Sequence, residues 1–249
     1  MGAPRGYRTV AIVVRTVDFA ETSQVVHLVT PEHGLVPALA KGARAHKGAF
    51  QGGVPLGVLG EADLLPRRGA ELELLRSFRV TDGLRGLRDD VDRFAAGCYV
   101  LALLRDLARP ALGNEALFLA GATALKAVAS APPPAAGTWV AVFEARALSA
   151  TGHRPHLDPC PVCETEVGRD ALFSPVAGGV VHRRCAPEGP VRPVSPADRE
   201  VLARLYTARL PSFAAEPLGP AALRAARGVH DLFLPWVLER EPAGRRALA

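Results

Sequence analysis

Two short pairs of metal-binding residue types stand out in the second half of the chain. LDPCPVC places two residues between Cys160 and Cys163, GGVVHRRC places two between His182 and Cys185, and eighteen residues separate the pairs. This spacing is typical of structural zinc sites, because one tight turn can present both ligands of a pair. Thiolate and imidazole also suit tetrahedral zinc. The sequence therefore predicts a structural Zn²⁺ held by Cys160, Cys163, His182 and Cys185.

Other interpretations of the cysteine cluster stay open at this point. Cys160 and Cys163 could instead form a redox pair, or the thiols could simply be buried. The fourth ligand has alternatives too, since His153 and His156 precede the first pair. Cys98 lies in an apolar helical run, where we expect a core residue.

A catalytic metal is not favoured by the motifs around the cluster. The Pro159-Cys160-x-x-Cys163 stretch matches half of the nucleobase deaminase signature, but no histidine in the chain has Glu two residues later. The H-E-x-x-H motif and the phosphate-binding glycine motifs are also absent. Four protein ligands would leave no open position for water. We therefore expect a protein that is not an enzyme.

A basic stretch, AKGARAHKG at 40–48, is the second feature with a chemical interpretation. It holds Lys41 and Lys47, two of the three lysines in the chain, together with Arg44. Cations on a glycine-flanked loop can contact several phosphates in a sequence-independent way. Arg67 and Arg68, in the turn PRRG, are weaker candidates for the same role. The alternative is a solvated charged loop, and the nearby aromatics that could stack on bases are few, Phe50 and Phe78.

The charge and hydropathy of the chain agree with an intracellular protein that has an anionic partner. Its 249 residues carry a formal net charge of +5 and the pI is about 9.4. The longest low-charge stretch, FAAGCYVLALL, is too short to span a membrane, and no signal peptide is visible. We expect a cytoplasmic protein with reduced cysteines.

The elements that must position these residues are a barrel and a helical part. Five Val- and Leu-rich segments without intervening helices predict a five-stranded barrel of the OB type, at 9–17, 23–30, 34–42, 57–66 and 70–80. Helical spacing follows at 90–109, 114–130, 138–152, 195–210 and 220–239. The fold class is multidomain α+β. The predicted domains are an OB fold at 1–81, a helical domain at 82–152 and 191–249, and an inserted zinc finger at 153–190.

With these motifs assembled, the chain resembles the bacterial RecO family of recombination mediators. The segment AIVVRTVDFAETSQVVHLVTPEHGLVPALAKGARAHKGAF is similar to the N-terminal barrel of that family, in which a strand ends in A-K-G-A-R. FEARALSATGHRPHLDPCPVC and FSPVAGGVVHRRC resemble its junction between helix and zinc finger, with Phe143-Glu144, Gly152, Pro155 and Leu157 at matching positions. Zinc-bearing members usually have cysteine where this chain has His182, and some relatives lack the finger.

The resemblance implies a function and a set of partners. It implies binding to single- and double-stranded DNA, annealing of complementary strands, and loading of the recombinase onto DNA coated by single-stranded DNA-binding protein. The implied partners are RecR and the acidic C-terminal tail of that single-strand binder, with the protein associated with the nucleoid when bound to DNA. A zinc-stabilised RNA-binding protein or an assembly adaptor is the alternative, and a zinc hydrolase or deaminase is a third interpretation.

Overall fold

Five strands close into a barrel at the N-terminal end of the chain. The computed structural model describes residues 5–45, 50 and 52–245, and divides into two units, 1–130 and 131–249. The strands are β1 (Tyr7–Phe19), β2 (Ser23–Thr30), β3 (Gly34–Ala40), β4 (Leu59–Leu65) and β5 (Glu73–Asp82). Their order around the barrel is β1-β2-β3-β5-β4, with β3 and β5 parallel and the other neighbours antiparallel. The expected five-stranded OB-type barrel is confirmed.

The core of the barrel follows from the alternation of side chains along its strands. Val26 and Leu28 on β2 and Val36, Ala38 and Ala40 on β3 point inward and are buried. Burying one face this way fixes the register, because a one-residue slip would expose every one of these side chains. The residues between them must therefore point outward.

A bulge in β1 changes which of its residues point outward. The pairing of β1 with β2 shifts between Val13 and Arg15, after which Arg15 pairs with His27 and Val17 with Val25. Such a bulge places one extra residue in a strand and bends it. From Arg15 onward the outward positions are therefore the odd-numbered ones.

Two helices complete the first unit. They are α1 (Val91–Leu107) and α2 (Glu115–Ser130), which pack against each other; α1 also contacts β1 and β2, and α2 contacts β2. The Asp90 carboxylate accepts hydrogen bonds from the backbone N–H groups of Asp92 and Arg93, so it caps α1. Asn114 caps α2 in the same way, through the N–H of Leu117 at 2.9 Å. Asp90 and Asn114 thus stabilise the starts of the two helices.

The second unit combines helices with a small sheet. Its helices are α3 (Ala136–Ala150), α4 (Pro196–Thr207), α5 (Leu210–Ala215) and α6 (Pro220–Leu238), and its strands are β6 (Ala171–Ser174), β7 (Gly179–His182) and β8 (Arg192–Val194). Helix α3 packs against α4 and α6. Ser195 forms a reciprocal capping box with Asp198 at the start of α4. The division into three domains stays a prediction, because the two units show which elements pack together and do not test the predicted domain boundaries.

A buried polar network lies between α3, α4 and α6. The Nδ1 of His230 is 2.8 Å from a carboxylate oxygen of Glu144, and its Nε2 is 3.2 Å from the hydroxyl of Tyr206. Arg245 contacts the other carboxylate oxygen of Glu144 and the carboxylate of Asp231. Burying a carboxylate is costly unless it is paired, and here two partners satisfy it.

Among the described residues, no helix is long and apolar enough to cross a bilayer.

Candidate metal centre and nucleic-acid interface

The four ligands predicted from the sequence come together at one point of the second unit. The first pair lies on a turn ahead of β6, His182 ends β7, and Cys185 follows in a short 3-10 turn. The thiol sulfurs of Cys160, Cys163 and Cys185 and one ring nitrogen of His182 lie within 4.8 Å of one another. Within the described part of the chain, this is the one group of three or more His, Cys, Asp or Glu side chains that could hold a metal ion.

The orientation of His182 fits a metal ligand. Its Nδ1 is 3.4 Å from the sulfur of Cys163 and 3.9 Å from that of Cys185, so this nitrogen faces the cluster. Its Nε2 is 3.0 Å from the backbone carbonyl of Glu166, to which it can donate a hydrogen bond. A histidine ligand whose other nitrogen donates to a carbonyl is held in the tautomer that metal binding needs.

Two of the three thiols, those of Cys160 and Cys163, are prepared for ionisation by their surroundings, whereas burial and the neighbouring Cys163 raise the pKa of Cys185. Hydrogen bonds from the side chain and backbone of Thr165 lower the pKa of Cys163 to about 6. Burial alone would raise the pKa of Cys160, but hydrogen bonds from the backbone of His182, Val162 and Cys163 bring it below its ordinary value. Thiolates are the metal-binding form of cysteine. Zinc–sulfur bonds of about 2.3 Å put tetrahedral ligand atoms about 4 Å apart, and the observed cluster fits that size.

The two alternative histidines lie outside the cluster. The Nδ1 of His153 is 3.2 Å from the hydroxyl of Thr151. His156 pairs with Gly179 through its backbone, with its carbonyl accepting the N–H of Val180 at 2.7 Å. The backbone of His156 thus aligns the turn that carries the first cysteine pair with β7, and its side chain is not among the grouped ligands.

The finger is also fixed by contacts that do not involve the ligands. Its strands β6 and β7 form a sheet with β8, in the order β7-β6-β8. The rings of Phe173 on β6 and Phe233 on α6 meet edge to face at 5.4 Å. The guanidinium of Arg199 on α4 donates to the backbone carbonyls of Val167 and Gly168, at 2.8 and 3.1 Å. The segment therefore packs as part of the second unit.

In the basic stretch, the structure places Lys41 and Arg44 differently. Lys41 is exposed directly after β3. Arg44 instead reaches back to the β1–β2 turn, donating to the carboxylate of Asp18 at 2.9 Å and to the carbonyls of Ala20 and Glu21 at 3.0 and 2.7 Å. These bonds use three of the five N–H donors of the guanidinium. His46 and Lys47 lie outside the described residues.

The PRRG turn lies on the same side of the barrel as the end of β3. Leu39 pairs with Leu74, and Leu74 pairs with Leu65, so this turn begins two strands away from β3. With neighbouring strands about 4.8 Å apart, Leu65 is about 10 Å from Leu39. Arg67 and Arg68 are both exposed on this turn.

The aromatic residues of the barrel surface differ from those that the sequence indicates. Phe50 is only 9% exposed and belongs to the barrel core, and Phe78 packs against that core. Phe19, at the end of β1, is instead 53% exposed. If alternation is counted from Arg15, Phe19 is an outward residue. The sequence alone does not show where the bulge in β1 lies, so it does not show that the count must start again at Arg15.

A closed five-stranded barrel of OB type and a Cys₃His cluster are both common in proteins that bind nucleic acids. Comparison with known families agrees. The family domain described as "Recombination protein O N terminal" matches residues 5–84, and "Recombination protein O C terminal" matches residues 88–247. The chain belongs to the RecO family of DNA repair proteins.

Individual relatives support the same assignment. The chain is 38% identical over 240 residues to the DNA repair protein RecO of Anaeromyxobacter sp. (strain K), covering 95% of this chain and 93% of the relative. It is 37% identical over 180 residues to RecO of Rhodopirellula baltica, covering 71% and 66%. It is 30% identical over 236 residues to RecO of Myxococcus xanthus, covering 92% and 91%.

Proposed function

We propose that this protein is a non-enzymatic mediator of DNA repair and homologous recombination. It binds single- and double-stranded DNA without sequence specificity, anneals complementary strands, and helps to load the recombinase onto DNA coated by single-stranded DNA-binding protein. The observation that carries the proposal is the exposed Lys41, directly after β3 on an OB-type barrel of a DNA repair family. This activity would take place in the cytoplasm, at the nucleoid.

The proposed DNA contacts are electrostatic. Lys41 and the PRRG turn present exposed cations on one side of the barrel, and such cations contact phosphates whatever the base sequence. Arg44 would contribute through the two N–H donors that its bonds to the β1–β2 turn leave over. The proposed contact residues are Lys41, Arg44, Lys47, Arg67 and Arg68.

Neutralising phosphate charge is also what annealing requires. Two DNA strands repel each other through their backbones, and a cationic surface that releases their counterions lowers this barrier. A surface that contacts mainly phosphates leaves base edges free to pair.

The metal is proposed to be a structural zinc. The donor set of three thiolates and one imidazole suits Zn²⁺ and fills its tetrahedral coordination, so water has no open position on it. Cys160, Cys163, His182 and Cys185 would hold it, and their role is to join the turn before β6 to the end of β7. The proposed protein partners are RecR and the acidic tail of single-stranded DNA-binding protein.

The test is strand annealing on DNA coated with single-stranded DNA-binding protein. We expect the wild type to accelerate annealing and the double variant K41A/R44A to lose most of that effect. Its log-affinity for single strands should also depend less steeply on log salt, by about 0.7 for each phosphate that the variant no longer neutralises. Lys126→Ala, which removes an exposed lysine on α2, is the matched control and should behave as wild type.

Two results would reject the proposal. Absence of annealing by the wild type would reject the mediator function. Tighter binding to structured RNA than to DNA would favour the alternative, a zinc-stabilised RNA-binding or adaptor protein.

A further inference from the structure

We propose that the outer face of β1, β2 and β3 next to the β1–β2 turn is a base-contacting surface, and that Phe19 stacks on a nucleobase of single-stranded DNA. The inference deepens the proposed function and depends on it. It adds to the phosphate contacts a surface that recognises a feature only single strands offer, the exposed face of an unpaired base.

Strand register arranges this outer face in three rows. The first row is Arg15, His27 and Pro37, and the second is Val17, Val25 and Leu39. In the third row, Phe19 pairs with Ser23, and Lys41 lies beside Ser23, whose hydroxyl accepts the N–H of Gly42 at 3.2 Å. We call these nine residues the outer ladder.

The residues of the ladder point away from the barrel core. Their neighbours along the strands, Val26 on β2 and Ala38 and Ala40 on β3, are 0% exposed and line the core. Because side chains alternate along a strand, Val25, Leu39 and Lys41 must face outward. The second and third rows thus form one continuous outer surface.

Helices cover this side of the barrel at Ile12 and Val29, which lie beyond the first row, away from the β1–β2 turn. Ile12 and Val29 pair with each other on the outward side and are 0% and 1% exposed, where α1 and α2 pack against β1 and β2. Further along, Val17 is 42% exposed and Phe19 is 53% exposed. From Ile12 towards the β1–β2 turn, the exposure of the outward side chains of β1 rises, so the apolar side chains beside this turn are accessible.

The charge of the ladder favours a polyanion as its occupant. Arg15 lies at one end and Lys41 at the other, and none of the nine residues of the ladder is acidic. The nearby carboxylate of Asp18 is bound by Arg44. Apolar side chains in the middle with cations at both ends match a single strand, which has flat apolar bases along a charged backbone.

The size of the ladder also fits a short piece of single strand. Four residues of β1 separate the first row from the third, about 13 Å at 3.3 Å per residue. Sheet surfaces that stack bases typically hold about two or three of them. Phe19, as the one Phe, Tyr or Trp of the ladder, is the position where a base would stack.

The experiment compares Phe19→Ala with Phe94→Ala, because Phe94 on α1 is also 53% exposed and serves as a matched control. We expect Phe19→Ala to weaken single-strand binding by about 5- to 150-fold, the range for removing one base–aromatic stack. Its salt dependence should stay that of the wild type, since no cation is removed. Double-strand binding should change less than twofold, because paired bases are not accessible for stacking.

Three further measurements make the assignment specific. Phe19→Trp should retain single-strand affinity, which a loss of local folding would not allow. Photo-crosslinking of a single strand containing 5-iodouracil should attach to a peptide that contains Phe19. Thermal unfolding of Phe19→Ala should match that of the wild type.

The outcomes separate this inference from the proposed function. If Phe19→Ala binds single strands as tightly as Phe94→Ala while K41A/R44A is impaired, the inference is wrong and the proposed function stands. If Phe19→Ala instead loses only a protein partner, the ladder is a protein-docking face and the inference is also wrong. If the wild type binds no DNA, the proposed function itself fails.

Discussion

The Nδ1 of His230 lies 2.8 Å from the carboxylate of Glu144, and the two side chains are 0% and 1% exposed. One residue is on α3 and the other on α6, so this contact joins two helices that are distant in sequence. Arg245 reaches the same carboxylate from the C-terminal end. Glu144 is therefore a central polar residue of the second unit.

We expect Glu144→Ala to lower the free energy of unfolding by about 3–5 kcal/mol, because it leaves buried partners uncompensated. Urea denaturation monitored by far-UV circular dichroism would measure this. Glu216→Ala is the control, since its carboxylate is 81% exposed and pairs with Arg204 at 3.5 Å. That surface change should cost less than about 1 kcal/mol. Equal costs for the two variants would contradict the importance assigned to the network.

Removing the histidine ligand should remove the metal. We expect His182→Ala to bind zinc more weakly by over about 100-fold, because a three-ligand remnant is open to water. His182→Cys should keep one zinc per chain, since thiolate is an equally competent ligand. Atomic emission and competition with a chromogenic chelator would measure both. His153→Ala and His156→Ala should retain zinc; full retention by His182→Ala would remove this residue from the ligand set.

Chelation of the metal should loosen only part of the finger. We expect faster amide hydrogen exchange at residues 160–168, whereas β6 and β7 stay protected by the sheet and by the ring contact of Phe173 with Phe233. Exchange followed by mass spectrometry would resolve these segments, and added zinc should restore the original pattern. Complete loss of protection in β6 and β7 would show that the finger depends on metal alone.

Arg44 should support the β1–β2 turn through its geometry as well as its charge. Lysine at this position keeps the charge but loses the planar arrangement that reaches Asp18 and two carbonyls. We expect Arg44→Lys to speed hydrogen exchange at residues 20–23 and to lower stability by at most about 1 kcal/mol, since the ion pair is partly exposed. Arg79→Lys, at the exposed pair with Glu61, is the control and should leave that turn unchanged. If hydrogen exchange at residues 20–23 is the same in Arg44→Lys as in the wild type, Arg44 does not support the β1–β2 turn.

His27 should make the first unit sensitive to acid. Burial, and then the nearby positive charges of Arg15 and Arg105, lower the pKa of His27 below its ordinary value. The unfolded chain therefore takes up this proton at higher pH than the folded chain does, so stability is full above about pH 6.5 and falls as the pH drops below it. We expect His27→Gln to lose less stability than the wild type between pH 7.5 and pH 5.5, measured by urea denaturation. His153→Gln, at an exposed histidine, should behave as wild type.

Features that depend on local patterns were predictable from the sequence. Two ligands separated by two residues indicate a tight turn that presents both of them to one metal. The sequence alone could therefore group Cys160, Cys163, His182 and Cys185. Alternating Val and Leu residues indicate the barrel strands, and Ser195 indicates the start of α4.

Features that depend on tertiary contacts were not predictable. The bulge after Val13 determines that Phe19 faces outward. The position of a bulge cannot be recognised from the two-residue alternation of apolar and polar residues along a strand. Arg44 binds residues more than twenty positions earlier, so its sequence neighbours give no hint of that contact. The strands β6, β7 and β8 are three or four residues long, too short for a periodic signal.

The parallel pairing of β3 with β5 has a consequence for how the barrel folds. The hairpins β1–β2 and β2–β3 are local, whereas Leu39 can pair with Leu74 only after the intervening chain has closed on itself. Such long-range pairings cost loop-closure entropy and form late. During synthesis, all nine residues of the outer ladder leave the ribosome before β5 does. The surface proposed to bind DNA therefore takes its final curvature only when the last strand of the barrel has arrived.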